Sequence, residues 1–188
     1  MKTLTHLFEA QDDIIKLLNF PDTRQSTNYT CATSSIGTIL AYYGIDYREM
    51  DMAKALGSNE SEGTNIDKVI HFLNMNGLQT DIRENMNIND LIYYIDKNIP
   101  VLVLIQAWGN IDDYTEEWKS GHYSVVVGYS RNKIIFSEPA LYNLGYLSYG
   151  DLMKRWHDRD DEKEYIRFGI AVHGKNPKYD KNKLIKIG

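Results

Sequence analysis

Cys31, the single cysteine of the chain, opens a run to Gly44 in which Ala32, Ile36, Ile39, Leu40 and Tyr43 recur at helical spacing. Gly44 sits where a left-handed C-terminal cap is expected. A helix of this kind leaves the amides of its first turn unpaired and sets the positive end of its dipole beside the sulfur. Both favour thiolate over thiol, and cysteines so placed have pKa values of roughly 3.5 to 7.5, against about 8.5 for a free side chain. The small residues Ala32, Thr33, Ser34, Ser35 and Gly37 let the helix end lie close against other backbone. The chemistry implied is nucleophilic attack by Cys31, and the competing reading is a small buried hydrophobe. Gln25 favours the first. It stands six residues upstream across a polar, turn-forming stretch, so its side-chain amide can return beside the sulfur. With the Cys31 backbone N–H it makes a two-donor oxyanion hole, in which losing one donor typically costs about 3 to 4 kcal/mol of transition-state stabilisation.

A thiolate nucleophile needs a base within roughly 2.6 to 3.2 Å. Of the five histidines, His122 alone begins a core-type strand directly after a glycine and a long loop, an open position at the rim of a sheet. His6, His71 and His157 lack such a setting, and His173 ends the last expected strand. Glu138 is the candidate orienter of His122. Side chains on a hairpin share a face in one register parity only, so joining His122 to Glu138 calls for an odd number of loop residues. Ser130, Arg131 and Asn132 supply three. In that register Glu138 lies opposite Ser124 and diagonal to His122, about 7 to 8 Å away at the backbone and within reach of long side chains. The alternative is a glutamate that ends a strand in water.

The elements that must position these groups follow from periodicity. Residues 1–24 carry a short helical pattern at Ile14, Ile15, Leu17 and Leu18, stopped by Pro21 and Asp22, and read as an extension over the domain surface. A second helix runs from Arg48 to Leu56 and closes at Gly57, followed by a polar loop from Ser58 to Gly63. Thr64 and Asn65 can cap a helix with Ile66, Val69, Ile70, Phe72 and Leu73 on its apolar face, ending at Asn76 and Gly77. Gln79 to Arg83 alternates like a short strand. Asn89 and Asp90 start a further helix, with Leu91, Ile92, Tyr94 and Ile95 inward, that ends at Asn98 before Pro100. Val101 to Ile105 is apolar without alternation, which predicts a strand covered on both faces. After the loop from Trp108 to Gly121 come the hairpin of residues 122–138, a capped helix from Ser148 with Leu152, Met153 and Trp156, a strand from Tyr165 to Val172, and a loose basic tail over 175–188.

Composition limits the rest. At 188 residues, with 43% hydrophobic and 12% aromatic content, the chain suits one folded domain over 1–188 with a core that needs neither disulfide nor metal. The formal charge of -5 argues against nucleic acid as a partner. The longest apolar run, Ile99 to Ala107, is too short to span a membrane and holds Pro100 and Gln106. A lone cysteine and acids early in the N-terminal stretch point to a cytoplasmic origin without a secretion signal. The sequence carries no signal of oligomeric state.

Gln25-Ser-x-x-Tyr-Thr-Cys31, then Glu62-Gly63-Thr64, then Gly121-His122-Tyr-Ser-Val-Val-Val-Gly-Tyr129, then Glu138-Pro139 together resemble the bacteriocin-processing (double-glycine leader) peptidases and their free-standing relatives in the papain-like clan. The resemblance runs from about Gln25 to Val172. It implies an α+β papain-like fold, with an N-terminal helical half, the cysteine at a helix N-terminus, packed on a C-terminal antiparallel sheet. It also implies Gln25 as oxyanion donor, Cys31 as nucleophile and His122 as base. The relatives usually have glycine where this chain has Ala32, and aspartate where it has Glu138. The resemblance is not expected to extend to the export machines that often carry this domain.

The expected activity is therefore cleavage of a peptide or isopeptide bond by a Cys31-His122-Glu138 triad, with a peptide or protein as substrate and no cofactor or metal. The same groups transfer acyl chains when an amine or thiol outcompetes water, and a non-catalytic peptide-binding module is the third reading. The loop leading to His122 is expected to border the cleft, with Trp108 and Trp118 as substrate contacts. Its acids Asp112, Asp113, Glu116 and Glu117 would favour a basic substrate, unless they form only a solvated surface. The acidic run His157, Asp158, Asp160, Asp161 and Glu162 matches no calcium-loop spacing and reads as an exposed turn.

Overall fold

Strand β4 (Gly121–Ser130) is buried along its whole length after Gly121 and forms the spine of the molecule. The computed structural model describes residues 14–27, 30–58, 64–109, 112–160, 163–184 and 186–187. Glu62, Gly63, Asp161, Glu162, residues 1–13 and most of the 58–63 loop thus lie outside the described residues. On one side of β4 runs β3 (Val101–Gln106), paired antiparallel from Val101↔Val126 to Gln106↔Gly121. All six residues of β3 are buried, as its unalternating apolar run predicts. Beyond β3 lie β9 (Gly169–His173) and then β2 (Gln79–Arg83); on the far side of β4 lie β5 (Lys133–Ser137) and β6 (Gly145–Ser148). The sheet order is β2-β9-β3-β4-β5-β6, and every described pairing is antiparallel.

Five helices are described, and the fold is α+β: α1 (Cys31–Tyr42), α2 (Glu49–Leu56), α3 (Ile66–Met75), α4 (Ile88–Asp96) and α5 (Tyr149–Arg155). Helix α1 lies across β4 and inserts Ile36, Ile39 and Leu40, none of which retains any exposure, into the core. Its run ends where Gly44 turns left-handed at φ 73°. Asn65 caps α3 by accepting from the amides of Asp67 and Lys68. Helix α4 begins one residue before the expected Asn89-Asp90 start, with its cap one residue earlier still. There Asn87 caps it and Asp90 returns a hydrogen bond to the Asn87 amide, so Asp90 serves as the far half of a capping box rather than the cap.

Other expectations need correction. Ile14–Leu17 is strand β1, not a helix, and pairs with Gly128, Tyr129 and Ser130 of β4. Strand β3 stops opposite Val126, so the end of β4 would otherwise carry unpaired backbone groups; that tertiary demand outweighs a weak local pattern. Gly128 permits the approach, since a Cβ there would sit 2.7 Å from the Lys16 carbonyl oxygen. The expected strand from Tyr165 to Val172 is two strands. Arg167, at φ 47°, breaks it into β8 (Glu164–Ile166), which pairs with β7 (His157–Arg159) in a separate two-stranded sheet, and β9. His157 and Asp158 thus belong to a strand instead of an exposed turn. The start of the C-terminal tail is not loose, because the amides of Lys178 and Tyr179 both donate to the Tyr42 carbonyl.

Candidate active site

His122 is the first buried residue of β4, opposite Ile105 of β3. Its Nε2 lies 2.6 Å from Oε1 of Glu138, with 7% and 6% of the two side chains exposed. The same carboxylate oxygen accepts the Ala140 amide at 2.9 Å. The register that joins the two groups arises differently from the expected three-residue loop. Strand β4 ends at Ser130 and β5 begins at Lys133, leaving a two-residue turn, with Tyr129 opposite Ile134 and Gly128 opposite Ile135. A bulge then shifts the pairing to Val126↔Phe136 and Val125↔Ser137, the register in which Glu138 follows opposite Ser124. One extra residue inside the strand supplies the parity that a third loop residue would have supplied. Val127, the residue in excess, sends its carbonyl to the Leu18 amide at 2.8 Å, so the chain leaving β1 satisfies the backbone group that the bulge frees.

Cys31 occupies the first position of α1 and is partly exposed. Thr30, at the N-cap, does not cap: its hydroxyl accepts from the Thr27 amide and donates to the Thr27 carbonyl. The groups that act on the sulfur are the His122 ring and the backbone amides of Tyr123 and Ala32. Glu138 holds Nε2, which leaves Nδ1 as the ring nitrogen available to Cys31. Burial pushes the Cys31 thiol up, but the hydrogen bond and charge of His122, with the two amides, outweigh it and hold the thiol below its ordinary value. Burial works against the His122 cation, yet Cys31 and Glu138 on opposite edges of the ring raise its pKa to about 9. Burial likewise raises Glu138, and His122, the Ala140 amide and Ser124 together bring it below the usual carboxylate range. The arrangement favours a thiolate and an imidazolium in contact.

Gln25 is tied to the segment after Glu138: its backbone amide donates to the Pro139 carbonyl at 2.9 Å. Its side-chain Nε2 donates to the Thr27 carbonyl at 2.9 Å, leaving a second amide hydrogen, while Oε1 is buried without a partner among the described residues. Trp108 lines a groove of about 410 Å³ that opens beside Glu138. Trp118, Asp112 and Asp113 do not line it. Trp118 packs on the His157 ring at 4.5 Å, Asp113 accepts from the amide and hydroxyl of Thr115, and Asp112 is exposed. His71 is exposed on α3.

Sequence reasoning missed the groups that fix the base of β4. Gln106 is fully buried, accepts the Ser120 amide at 2.8 Å and donates to the His157 carbonyl and to the Asp158 carboxylate at 3.1 and 3.0 Å. A glutamine closing an otherwise apolar strand was the available signal, because a buried amide requires partners. Asp158 in turn lies against Gly121, where a Cβ would meet both carboxylate oxygens at 2.6 Å. With Asp158 held by Gln106, Gly121→Ala must displace the start of β4 and with it His122. We expect a loss of about 1 to 3 kcal/mol in denaturant melts and slower alkylation of Cys31; wild-type behaviour in both would refute this role for Gly121.

The chain belongs to the Peptidase_C39 like family, which matches residues 17–172. Among solved structures, the peptidase domain of Streptococcus ComA, a bi-functional ABC transporter involved in a quorum sensing pathway, superposes with a TM-score of 0.61 at 18% identity, covering 85% of this chain and 98% of that one. A double glycine motif protease from an AMS/PCAT transporter, in complex with the leader peptide, gives 0.58 at 14% identity over 86% and 96%. A protein from Bacillus anthracis described as a C39-like peptidase gives 0.62 at 13% identity over 87% and 98%. At these identities the likeness concerns the fold, which is that of the C39 papain-like peptidase domains. No curated protein matches the chain in sequence.

Proposed function

We propose that the protein is a cysteine peptidase that hydrolyses a peptide or isopeptide bond, with Cys31 as nucleophile, His122 as proton carrier, Glu138 as its orienter and Gln25 as an oxyanion donor. One observation carries this reading: a single buried imidazole meets Glu138 on Nε2 at 2.6 Å and also interacts with the helix-terminal sulfur of Cys31. Membership of a peptidase family and the leader peptide bound to one structural neighbour support a peptide as substrate. The Cys31 sulfur attacks the carbonyl carbon, and the Cys31 amide with the free Gln25 N–H takes the developing oxyanion. Collapse breaks the C–N bond as His122 passes its proton to the leaving nitrogen, giving a thioester. His122 then takes a proton from water, whose oxygen displaces the sulfur and regenerates the thiolate.

The test is a peptide library read by mass spectrometry for new amino termini. Cleavage is expected without added metal, and one equivalent of iodoacetamide on Cys31 should abolish it. If Cys31 alkylates at one equivalent but no peptide is cut, the protein is a binding module. Products coupled to an added amine in preference to water would make it an acyltransferase.

A further inference from the structure

We propose that the groove beside Glu138 binds the amine-side half of the substrate and selects peptides with a carboxylate side chain there. This rests on the peptidase reading in one respect, the direction of the substrate. His122 must hand its proton to the leaving nitrogen, so the leaving segment lies on the imidazole side of the scissile bond. Glu138 is bound to the far edge of that ring and forms one wall of the groove. Ile105 and Phe136 from the sheet, with Trp108, Tyr114 and Tyr146, supply its apolar surface, and Arg155 enters it as a cation.

The charge in this groove is unusual for a chain of formal charge -5. Arg155 stacks its guanidinium 3.6 Å above the Tyr114 ring centroid, and no ion pair among the described residues includes it. Lys133 lies over the Tyr146 ring at 4.9 Å, and Arg24 lies 3.9 Å over Tyr142, the neighbour of the groove residue Leu141. Two cations, Arg155 and Lys133, are thus parked on the faces of tyrosines that line the groove. Stacking engages the flat face of a guanidinium and leaves its in-plane N–H donors directed outward, the geometry that binds a carboxylate through two parallel hydrogen bonds. Glu138, the one carboxylate in the lining, has its charge compensated by His122. The acids of the 108–121 loop do not answer these cations: Asp113 turns to Thr115, and Glu117 accepts from the Lys119 amide and the Ser120 hydroxyl. The placement therefore points to acidic substrates, the reverse of the preference those loop acids suggest from sequence.

The experiment compares peptides identical up to the scissile bond, with Glu, Gln or Lys in the residues that follow it. Wild-type protein is expected to turn over the Glu peptides with kcat/KM about ten- to a hundredfold above the Gln peptides. In Arg155→Met, which keeps an apolar stem, that ratio should fall to near one, with Arg155→Lys between. A wild-type preference for Lys, or an Arg155→Met variant that keeps the Glu preference, overturns the proposal. Direct binding of the amine-side peptides to Cys31→Ala, measured by titration calorimetry, separates the two hypotheses. Binding of the Glu peptide that weakens at least about tenfold in the Arg155→Met background supports the groove even if no peptide is cleaved, whereas equal binding of Glu, Gln and Lys peptides rejects it.

Discussion

In Cys31→Ala, kcat against any peptide the protein cleaves is expected to fall by on the order of 10⁵- to 10⁶-fold, with KM nearly unchanged. Removing the sulfur deletes the covalent route while leaving the oxyanion donors and the groove in place, so the loss belongs to kcat. Cys31→Ser should be almost as inactive. The His122 cation and the Tyr123 and Ala32 amides lower the thiol against the cost of burial, whereas a hydroxyl starts far higher and stays neutral. Both variants carry a second signature, because Cys31 is one of two groups that raise His122 to about 9 from 6.5. Without the sulfur that pKa must drop. A histidine with a raised folded pKa contributes stability that is fully present below 6.5 and is lost as pH rises through the folded value. In Cys31→Ala the contribution should therefore be smaller and be used up at lower pH, measured by denaturant melts across the range from 6 to about 10 and by NMR titration of the His122 ring. An unmoved His122 pKa would mean that the sulfur and the imidazole are not coupled, and a retained kcat would remove Cys31 from the chemistry.

Where sequence and structure agree, a local pattern and a tertiary need coincide. The α1 spacing from Ala32 to Tyr43 is that of a helix whose small first turn must approach β4, and Val101 to Ile105 is apolar because both its faces are covered. The positions of Cys31, His122 and Glu138 were legible for a related reason: each stands at the end of a regular element, where periodicity predicts it. The rest depends on partners distant in the chain. Nothing in Ile14 to Leu17 announces that the end of β4 needs an edge strand, and nothing in Val125-Val-Val-Gly128 announces that one valine is extra. The parity argument still placed Glu138 opposite Ser124, because a bulge and a loop residue are equivalent in register even though they differ in place. Arg155 was invisible for another reason, since a basic residue in the last turn of a helix is ordinary, and its position over Tyr114 joins α5 to a loop about 40 residues earlier.

Glu138 offers the sharpest separation of charge from position, because one carboxylate oxygen receives both the His122 Nε2–H and the Ala140 amide. In Glu138→Gln the side-chain carbonyl can accept both bonds unchanged, so geometry survives and the charge goes. We expect kcat/KM to fall by about 10²- to 10⁴-fold. The carboxylate raises His122 and His122 lowers Cys31, so losing it must bring the His122 pKa down from about 9 and let the Cys31 pKa rise. The acid limb of the activity profile follows thiolate formation and the alkaline limb follows loss of the imidazolium proton. The pH window in which both charges exist therefore contracts from each end, which kcat/KM measured against pH would record as a narrower and lower bell. Glu138→Asp does the converse, keeping the charge but drawing it back by one methylene, about 1.5 Å, from a contact now at 2.6 Å. The longer stem has a place here: a Cβ on Gly145 would stand 3.2 Å from the Glu138 Cβ and 3.5 Å from its Cγ, so the bare glycine of β6 leaves room for it. If charge alone sustains the ion pair, the aspartate variant keeps the wide bell while the glutamine variant loses it; if contact is also required, both narrow. A glutamine variant with the wild-type profile would remove Glu138 from the triad, because its charge is what holds the proton on His122 against the cost of burial.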